Sequence, residues 1–175
     1  MSEITVRPLG EDEWQDYRAV RLEALRESPE AFAATVDEEE AFDEASWRER
    51  MKRSARLIAE QDGQAVGVVS VGTAATDDGA DAGELFGLWV KPDLRGTDVA
   101  TKLVTSGAVV ARRRGESHLY YWVGTDNGRA VAFASGMGFR PTDERRPMGV
   151  ASEDDGDEEI AMVLPLGHDP GVIGG

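Results

Sequence analysis

The stretch Val90-Lys91-Pro92-Asp93-Leu94-Arg95-Gly96-Thr97-Asp98-Val99-Ala100-Thr101-Lys102-Leu103 decides how this chain folds. It reads as the end of an apolar run, a tight loop, and the start of a helical pattern. A strand, loop and helix in that order aim several free N–H groups and the positive end of a helix at one point. That arrangement is a ready anion site.

Charge around this stretch points the same way. Residues 91–114 hold Lys91, Arg95, Lys102, Arg112, Arg113 and Arg114 against only Asp93 and Asp98. Arg112 to Arg114 also stand where basic residues complement a helix C-terminus. The chain as a whole is acidic, with a formal net charge of −15 over 175 residues. That balance argues against nucleic acid or an anionic membrane as partner, because both are gripped through Lys and Arg. It permits a cationic substrate such as an amine, and it also serves solubility or salt tolerance.

Cysteine is absent, which excludes a disulfide, a thiolate zinc site and a cysteine nucleophile. The cytoplasm is the expected compartment. No apolar run approaches the roughly 18 residues of a membrane helix. The N-terminal Met1 to Pro8 lacks the basic and apolar regions of a signal peptide. His118 and His168 have no metal-ligand spacing, and no metal is expected. The acidic run 153–159 fails the calcium-loop pattern, since its first and twelfth positions fall on Ala151 and Met162; it reads as a solvated loop.

Working outward, Ile4 and Val6 alternate as a short strand, and residues 10–27 carry helical spacing at Trp14, Tyr17, Val20, Leu22 and Leu25. Ser28-Pro29 ends that helix. Residues 30–42 read as acidic and irregular, and a short helix is predicted at about 43–54. Arg56 to Glu60 and Ala65 to Val71 form strands joined by an Asp62-Gly63 turn. Residues 75–82 read as a loop and Glu84 to Val90 as a buried strand. A helix over 97–114 places Val99, Leu103 and Val110 on one face, with Gly115 as its C-terminal glycine. His118 to Val123, a helix at about 128–136, and strands near 139–146 and 158–164 complete the order. The four tryptophans, Trp14, Trp47, Trp89 and Trp122, read most simply as core. The mixed order predicts an α/β fold with a central mixed sheet flanked by helices, in one domain over 1–166 with a short tail at 167–175.

Three blocks give this order a likeness. The loop resembles the acyl-CoA pyrophosphate loop of the GNAT acetyltransferase superfamily, roughly Arg/Gln-x-x-Gly-x-Gly/Ala, with Arg95 and Ala100 at its ends. Asn127-Gly128-Arg129-Ala130-Val131-Ala132-Phe133 followed by Gly138-Phe139 is similar to the family's Asn-x-x-Ala-x-x-Leu/Phe-Tyr-x-x-x-Gly-Phe block. Arg18, Arg21-Leu22, Ala24-Leu25 and Ser28-Pro29-Glu30-Ala31-Phe32 resemble the first helix and following loop of bacterial members of small-molecule type.

The resemblance implies the GNAT acyl-CoA N-acyltransferase fold, acetyl-CoA as co-substrate, and transfer of acetyl to a primary amine, with a small molecule as the expected acceptor; many relatives dimerise. It implies that main-chain groups of Leu88, Trp89 and Val90 pair with the pantetheine amides. N–H groups of Arg95, Gly96, Thr97, Asp98, Val99, Ala100 and Thr101 would hold the pyrophosphate. Asn127 would contact the pantetheine arm, with Ala130 and Phe133 packed beside it. An N–H near Val90 would stabilise the developing oxyanion. Glu84 is the candidate base, placed by two-residue alternation on the face of Phe86, Leu88 and Val90. A carboxylate among apolar groups holds its proton more tightly, which suits a base working near neutrality. Without cysteine, transfer is direct within a ternary complex. Trp47 and the acidic segment 37–44 lie where relatives build the acceptor site.

Two positions depart from the family pattern. Asp98 replaces the central glycine, bringing bulk and like charge of about 1–4 kcal/mol to a phosphate site; it also has the chemistry of a helix cap. Ala134 stands where the family often has a tyrosine that protonates the leaving thiolate, and Tyr120 or Tyr121 are the substitutes at hand. These departures keep open a catalytically weak acyl-CoA-binding sensor, and the acidic surface keeps open a protein or peptide N-acetyltransferase.

Overall fold

The computed structural model describes residues 3–32, 34–74, 82–125, 127–147 and 158–167. Seven strands form one sheet in the order β1-β2-β3-β4-β5-β7-β6. They are β1 (Thr5–Pro8), β2 (Ala55–Gln61), β3 (Gln64–Ala74), β4 (Ala82–Val90), β5 (His118–Gly124), β6 (Arg140–Pro147) and β7 (Glu158–Pro165). Only β4 and β5 run parallel; every other neighbouring pair is antiparallel. The helices are α1 (Trp14–Glu27), α2 (Val36–Glu40), α3 (Glu44–Arg53), α4 (Val99–Arg113) and α5 (Gly128–Gly136).

The two faces of the sheet carry two apolar clusters. On one, Val99, Leu103, Val104 and Ala111 of α4 and Ala134 of α5 pack on Leu57, Val69, Val71, Leu85 and Leu119. On the other, Tyr17, Val20 and Leu25 of α1 and Trp47 and Met51 of α3 pack on Ile58, Val68 and Trp89. The buried side of α4 follows the spacing 99, 103, 107, 111, so Val110, assigned to that face by the sequence, sits only part-buried at its margin. Gly107 is where α4 comes closest to the sheet. A Cβ there would stand 2.8 Å from Leu85 Cδ1 and 3.2 Å from Val71 Cγ2, so a larger residue requires the Leu85 side chain or the helix to shift.

The predicted element order holds, with two corrections. Residues 30–42 are not all irregular. Pro29–Ala31 makes a 3₁₀ turn, and α2 forms because Thr35 Oγ1 accepts from the Glu38 N–H at 3.2 Å, a helix cap made by side-chain chemistry rather than apolar spacing. Ala82, assigned to the preceding loop, is the first residue of β4; residues 75–81 lie outside the described set.

A further correction concerns the alternation along β4. Opposite β3 its register slips, with Ser70 facing Phe86 and Val68 facing Trp89. Gly87 sits in this bulge with φ +65°, a backbone state a glycine adopts without strain. The extra residue reverses the alternation beyond it. Glu84 and Phe86 face α1, whereas Leu88 and Val90 pack with the α4 cluster. The expectation that Glu84 shares a face with Leu88 and Val90 therefore fails, and only Phe86 remains with it.

Candidate active site

The pairing of β4 with β5 covers only Ala82–Leu85 against His118–Tyr121. Beyond this rung β4 continues to Val90 and β5 to Gly124 without pairing to each other. β5 stays with β7 from Pro165 to Glu159. The strands thus part into a wedge, and the main-chain groups on that edge of Phe86 to Val90 have no strand partner. Such an edge can accept an extended chain of amides.

At the end of β4, Pro92–Leu94 makes a 3₁₀ turn and leads into α4. The Thr97 N–H is used on Leu94 O at 3.3 Å, and the first helical bond is Lys102 N–H to Asp98 O at 3.0 Å. The N–H groups of Val99, Ala100 and Thr101 therefore have no acceptor within the helix, which leaves an anion cradle beside the wedge. Asp98 occupies the N-cap position but makes no side-chain cap bond. Its carboxylate is 65% exposed, and Oδ2 lies 3.8 Å from Lys102 Nζ. The side chain thus has its own cation.

The expected cations of this region are largely engaged elsewhere. Arg95 Nε donates to Val90 O at 3.0 Å, while Nη2 donates to Glu27 Oε2 at 2.8 Å and Ser28 Oγ at 3.1 Å. Glu27 Oε2 also accepts from Trp89 Nε1 at 2.9 Å and from the Ser28 hydroxyl. These bonds hold the Glu27 carboxyl below the usual range, the Ser28 and Trp89 bonds foremost. Arg95 thus ties the end of α1 to the loop instead of standing free. Arg114 is spent on the carbonyls of Val71 and Gly72 and on Glu116. Asn127 Oδ1 caps α5 on the Ala130 N–H at 3.1 Å, so its expected cofactor contact is left to its amide nitrogen. Ala130 and Phe133 pack part-buried on the α4-side cluster.

Glu84 lies at the mouth of the wedge, on the α1 face. Its Oε1 accepts from Trp122 Nε1 at 2.9 Å. Two adjoining cavities, about 220 and 210 Å³, share Glu84, Trp122 and Arg146 as walls. The first is completed by Phe32, Phe86, Leu88, Tyr121 and Glu159, the second by Tyr120 and Glu144. Phe86 rests over the buried Arg56 guanidinium, with Cζ 5.5 Å from the ring centroid. Arg56 is fixed in turn by Tyr17, Ser70 and the carbonyl of Arg50. Burial pushes the Arg56 pKa down and the Tyr121 phenol up. A larger hollow of about 520 Å³ near Asp16, Glu23 and Glu60 draws no wall from β4 or β5.

The site differs from the sequence reading in whom it recruits. Trp122, read as core, is the indole that orients Glu84. Trp47, proposed for acceptor contacts, is fully buried between α1 and α3, with its ring against Tyr17 and Phe42. The acidic segment 37–44 reaches the cavity at one remove. Glu39 is buried and binds Arg21 twice, at 2.9 and 3.0 Å, and Arg50 at 2.9 Å. Arg21 in turn lies over the Phe32 ring at 4.9 Å. Arg146 and Glu159 were missed because they come from β6 and β7, which no local pattern ties to Glu84. Ala134 is fully buried in the core. Among the described residues, no three His, Cys, Asp or Glu side chains group as metal ligands, and no helix is long and apolar enough to cross a membrane.

Comparison with known proteins agrees with this geometry. The family model described as the acetyltransferase (GNAT) family matches residues 14–139. An uncharacterized N-acetyltransferase of Archaeoglobus fulgidus is 28% identical over 147 residues, covering 82% of this chain and 95% of that protein. The fold is shared with an N-acetyltransferase from Staphylococcus aureus, at a TM-score of 0.71 and 17% identity over 95% of this chain and all of that one. It is shared also with a Salmonella typhimurium protein solved with its cofactor acetyl-CoA, at a TM-score of 0.69 and 18% identity over 95% and 96% of the two chains. The wedge between β4 and β5, the N–H cradle at the start of α4 and the match over residues 14–139 lead to one conclusion: the chain belongs to the GNAT family of acetyltransferases, enzymes of acetyl-CoA-dependent N-acetyl transfer.

Proposed function

We infer that this chain acetylates the primary amine of a small molecule by direct transfer within a ternary complex. The observation that carries the reading is Glu84, held by Trp122 at the mouth of the wedge and opening on two small adjoining cavities of about 220 and 210 Å³. The residues fit acetyl-CoA. The edge of Phe86 to Val90 without a strand partner, its Val90 carbonyl held by Arg95, suits the pantetheine amides, and the N–H groups of Val99, Ala100 and Thr101 suit its pyrophosphate. When bound, acetyl-CoA supplies an activated thioester carbonyl.

The protein's own groups do the rest. Glu84 keeps one carboxylate oxygen on Trp122 and offers the other to an ammonium proton, because an amine must lose a proton before it attacks. A main-chain N–H near Val90 polarises the carbonyl. Tyr121 lines the same cavity, and burial keeps its phenol protonated, so it takes the donor's part that Ala134 leaves vacant. Phenylalanine at 121 is expected to lower kcat about tenfold, a small loss for a general acid because a thiolate leaves readily. Unchanged kcat in Tyr121→Phe would assign that proton to water.

The test is release of free CoA thiol, dependent on an added small amine. Release without preference for small amines over basic peptides would count against the acceptor class. Calorimetric titration supplies the cofactor arm. Wild type is expected to bind acetyl-CoA, and Asp98→Gly to bind it about three- to tenfold more tightly. The gain is limited because the Asp98 carboxylate is exposed and has Lys102 beside it. Absence of binding in wild type with recovery in Asp98→Gly would mean a disabled cofactor site.

A further inference from the structure

Arg146 has no part in the proton transfers above, yet it lines both cavities beside Glu84. Its Cζ stands 4.1 Å from the centroid of the Trp122 ring, the same ring whose N–H holds Glu84. One rigid indole therefore sets a carboxylate at its edge and a guanidinium on its face. The Nε of Arg146 donates to Glu159 Oε2 at 2.7 Å, across the strand pair Arg146–Glu159. Among the described residues its Nη groups meet no acceptor, and the side chain is 48% exposed. A guanidinium stacked on a ring and tethered through Nε presents its remaining N–H groups as a preset fork, the geometry that takes a carboxylate. Beside Glu84, Glu159 and Tyr121, the wall of the first cavity includes the apolar side chains of Ala31, Phe32, Phe86 and Leu88.

The geometry points to an amino-acid-like zwitterion as the acceptor. Its amine meets Glu84, its carboxylate meets the free edge of Arg146, and its apolar side chain lies against Phe32 and Phe86. Charge argues for the same class. A plain alkylamine would suit the carboxylates of Glu84 and Glu159 but would leave the outer N–H groups of Arg146 without an anionic partner. A simple anion would be opposed by the field of a chain at −15. A zwitterion is neutral overall and satisfies both groups. This inference rests on the reading of Glu84 as the base for a small amine, and it adds Arg146 as the residue that sets specificity.

The experiment measures kcat/KM for CoA thiol release by the wild-type protein with matched sets: L-leucine, leucinamide and isopentylamine, then L-phenylalanine, phenylalaninamide and phenethylamine. The free amino acids are expected to exceed their amides and decarboxylated amines at least tenfold, mainly through KM. In Arg146→Met that ratio collapses toward one, and Arg146→Lys keeps part of it; thermal melting confirms that both variants are folded. The wild-type comparison stands even if a variant does not fold. Amides or plain amines turned over as well as the amino acids would overturn the zwitterion while leaving amine acetylation intact. No turnover of any member, with acetyl-CoA bound, would overturn both.

Discussion

Replacing Glu84 by glutamine is expected to lower kcat by about 10²–10³, the range typical of losing a positioned general base. Glutamine is nearly isosteric, and its carbonyl oxygen can still accept from Trp122 Nε1, so the indole and the cavity walls keep their places. The loss is thus chemical, and acetyl-CoA affinity measured by calorimetry should stay within about twofold. The pH profile is the sharper readout. At neutral pH the acceptor enters as an ammonium and needs a base; well above the acceptor's own pKa it enters as a free amine and does not. The deficit of Glu84→Gln should therefore shrink as pH rises toward 10. A loss below threefold at pH 7, or one that stays constant with pH, would remove Glu84 from the proton path.

Removing the Glu39 carboxylate is expected to cost about 3–5 kcal/mol of stability, because Glu39→Ala leaves two arginines poorly solvated and without their shared counter-ion. The side chains of Arg21 and Arg50 are only 14% and 15% exposed, and Glu39 is 5% exposed. At roughly 2–4 °C per kcal/mol for a chain of this size, Tm should fall on the order of 10 °C. Acidity should act on the same cluster. Burial alone would raise the Glu39 carboxyl, but the hydrogen bonds from Arg21 and Arg50 overcome it and hold the group below its usual value of 4.5. On acidification the unfolded chain takes up this proton before the folded one. The stabilisation is therefore complete above about pH 4.5 and is lost as pH falls through the lower folded value. Glu39→Gln should flatten that part of the stability curve. Because Arg21 lies over Phe32, KM for the acceptor should also rise in Glu39→Ala. Denaturation curves from pH 3 to 7 that run parallel for wild type and Glu39→Gln would refute the linkage.

Much of the fold was legible because its signals are local. The Asp62-Gly63 dipeptide turns the β2–β3 hairpin and Gly115 follows the end of α4, each where residue chemistry placed it. Free N–H groups at the start of α4 were readable in part: those of Val99, Ala100 and Thr101 have no helical acceptor, whereas those of Arg95 and Thr97 are taken by Pro92 O and Leu94 O. Side-chain assignments fared differently. Arg95 and Asn127 match family positions, yet their side chains are drawn to Glu27, Ser28 and Ala130, partners that spacing alone does not announce.

What the sequence determined by itself is the order of elements, the absence of any cysteine route, and the position of Glu84 near the start of the central strand, because these depend on composition and on periods of two and 3.6 residues. Which way that strand faces, and with whom, was decided by the tertiary structure. The bulge at Gly87 packs Leu88 and Val90 with the α4-side cluster, off the face that Glu84 and Phe86 share. The antiparallel pairing of β7 with β5, and of β6 with β7, carries Glu159 and Arg146 to Trp122. A register slip of one residue exchanges the faces of a strand, and pairing between segments distant in sequence has no local signature, so the acceptor cavity exists only once the sheet is assembled.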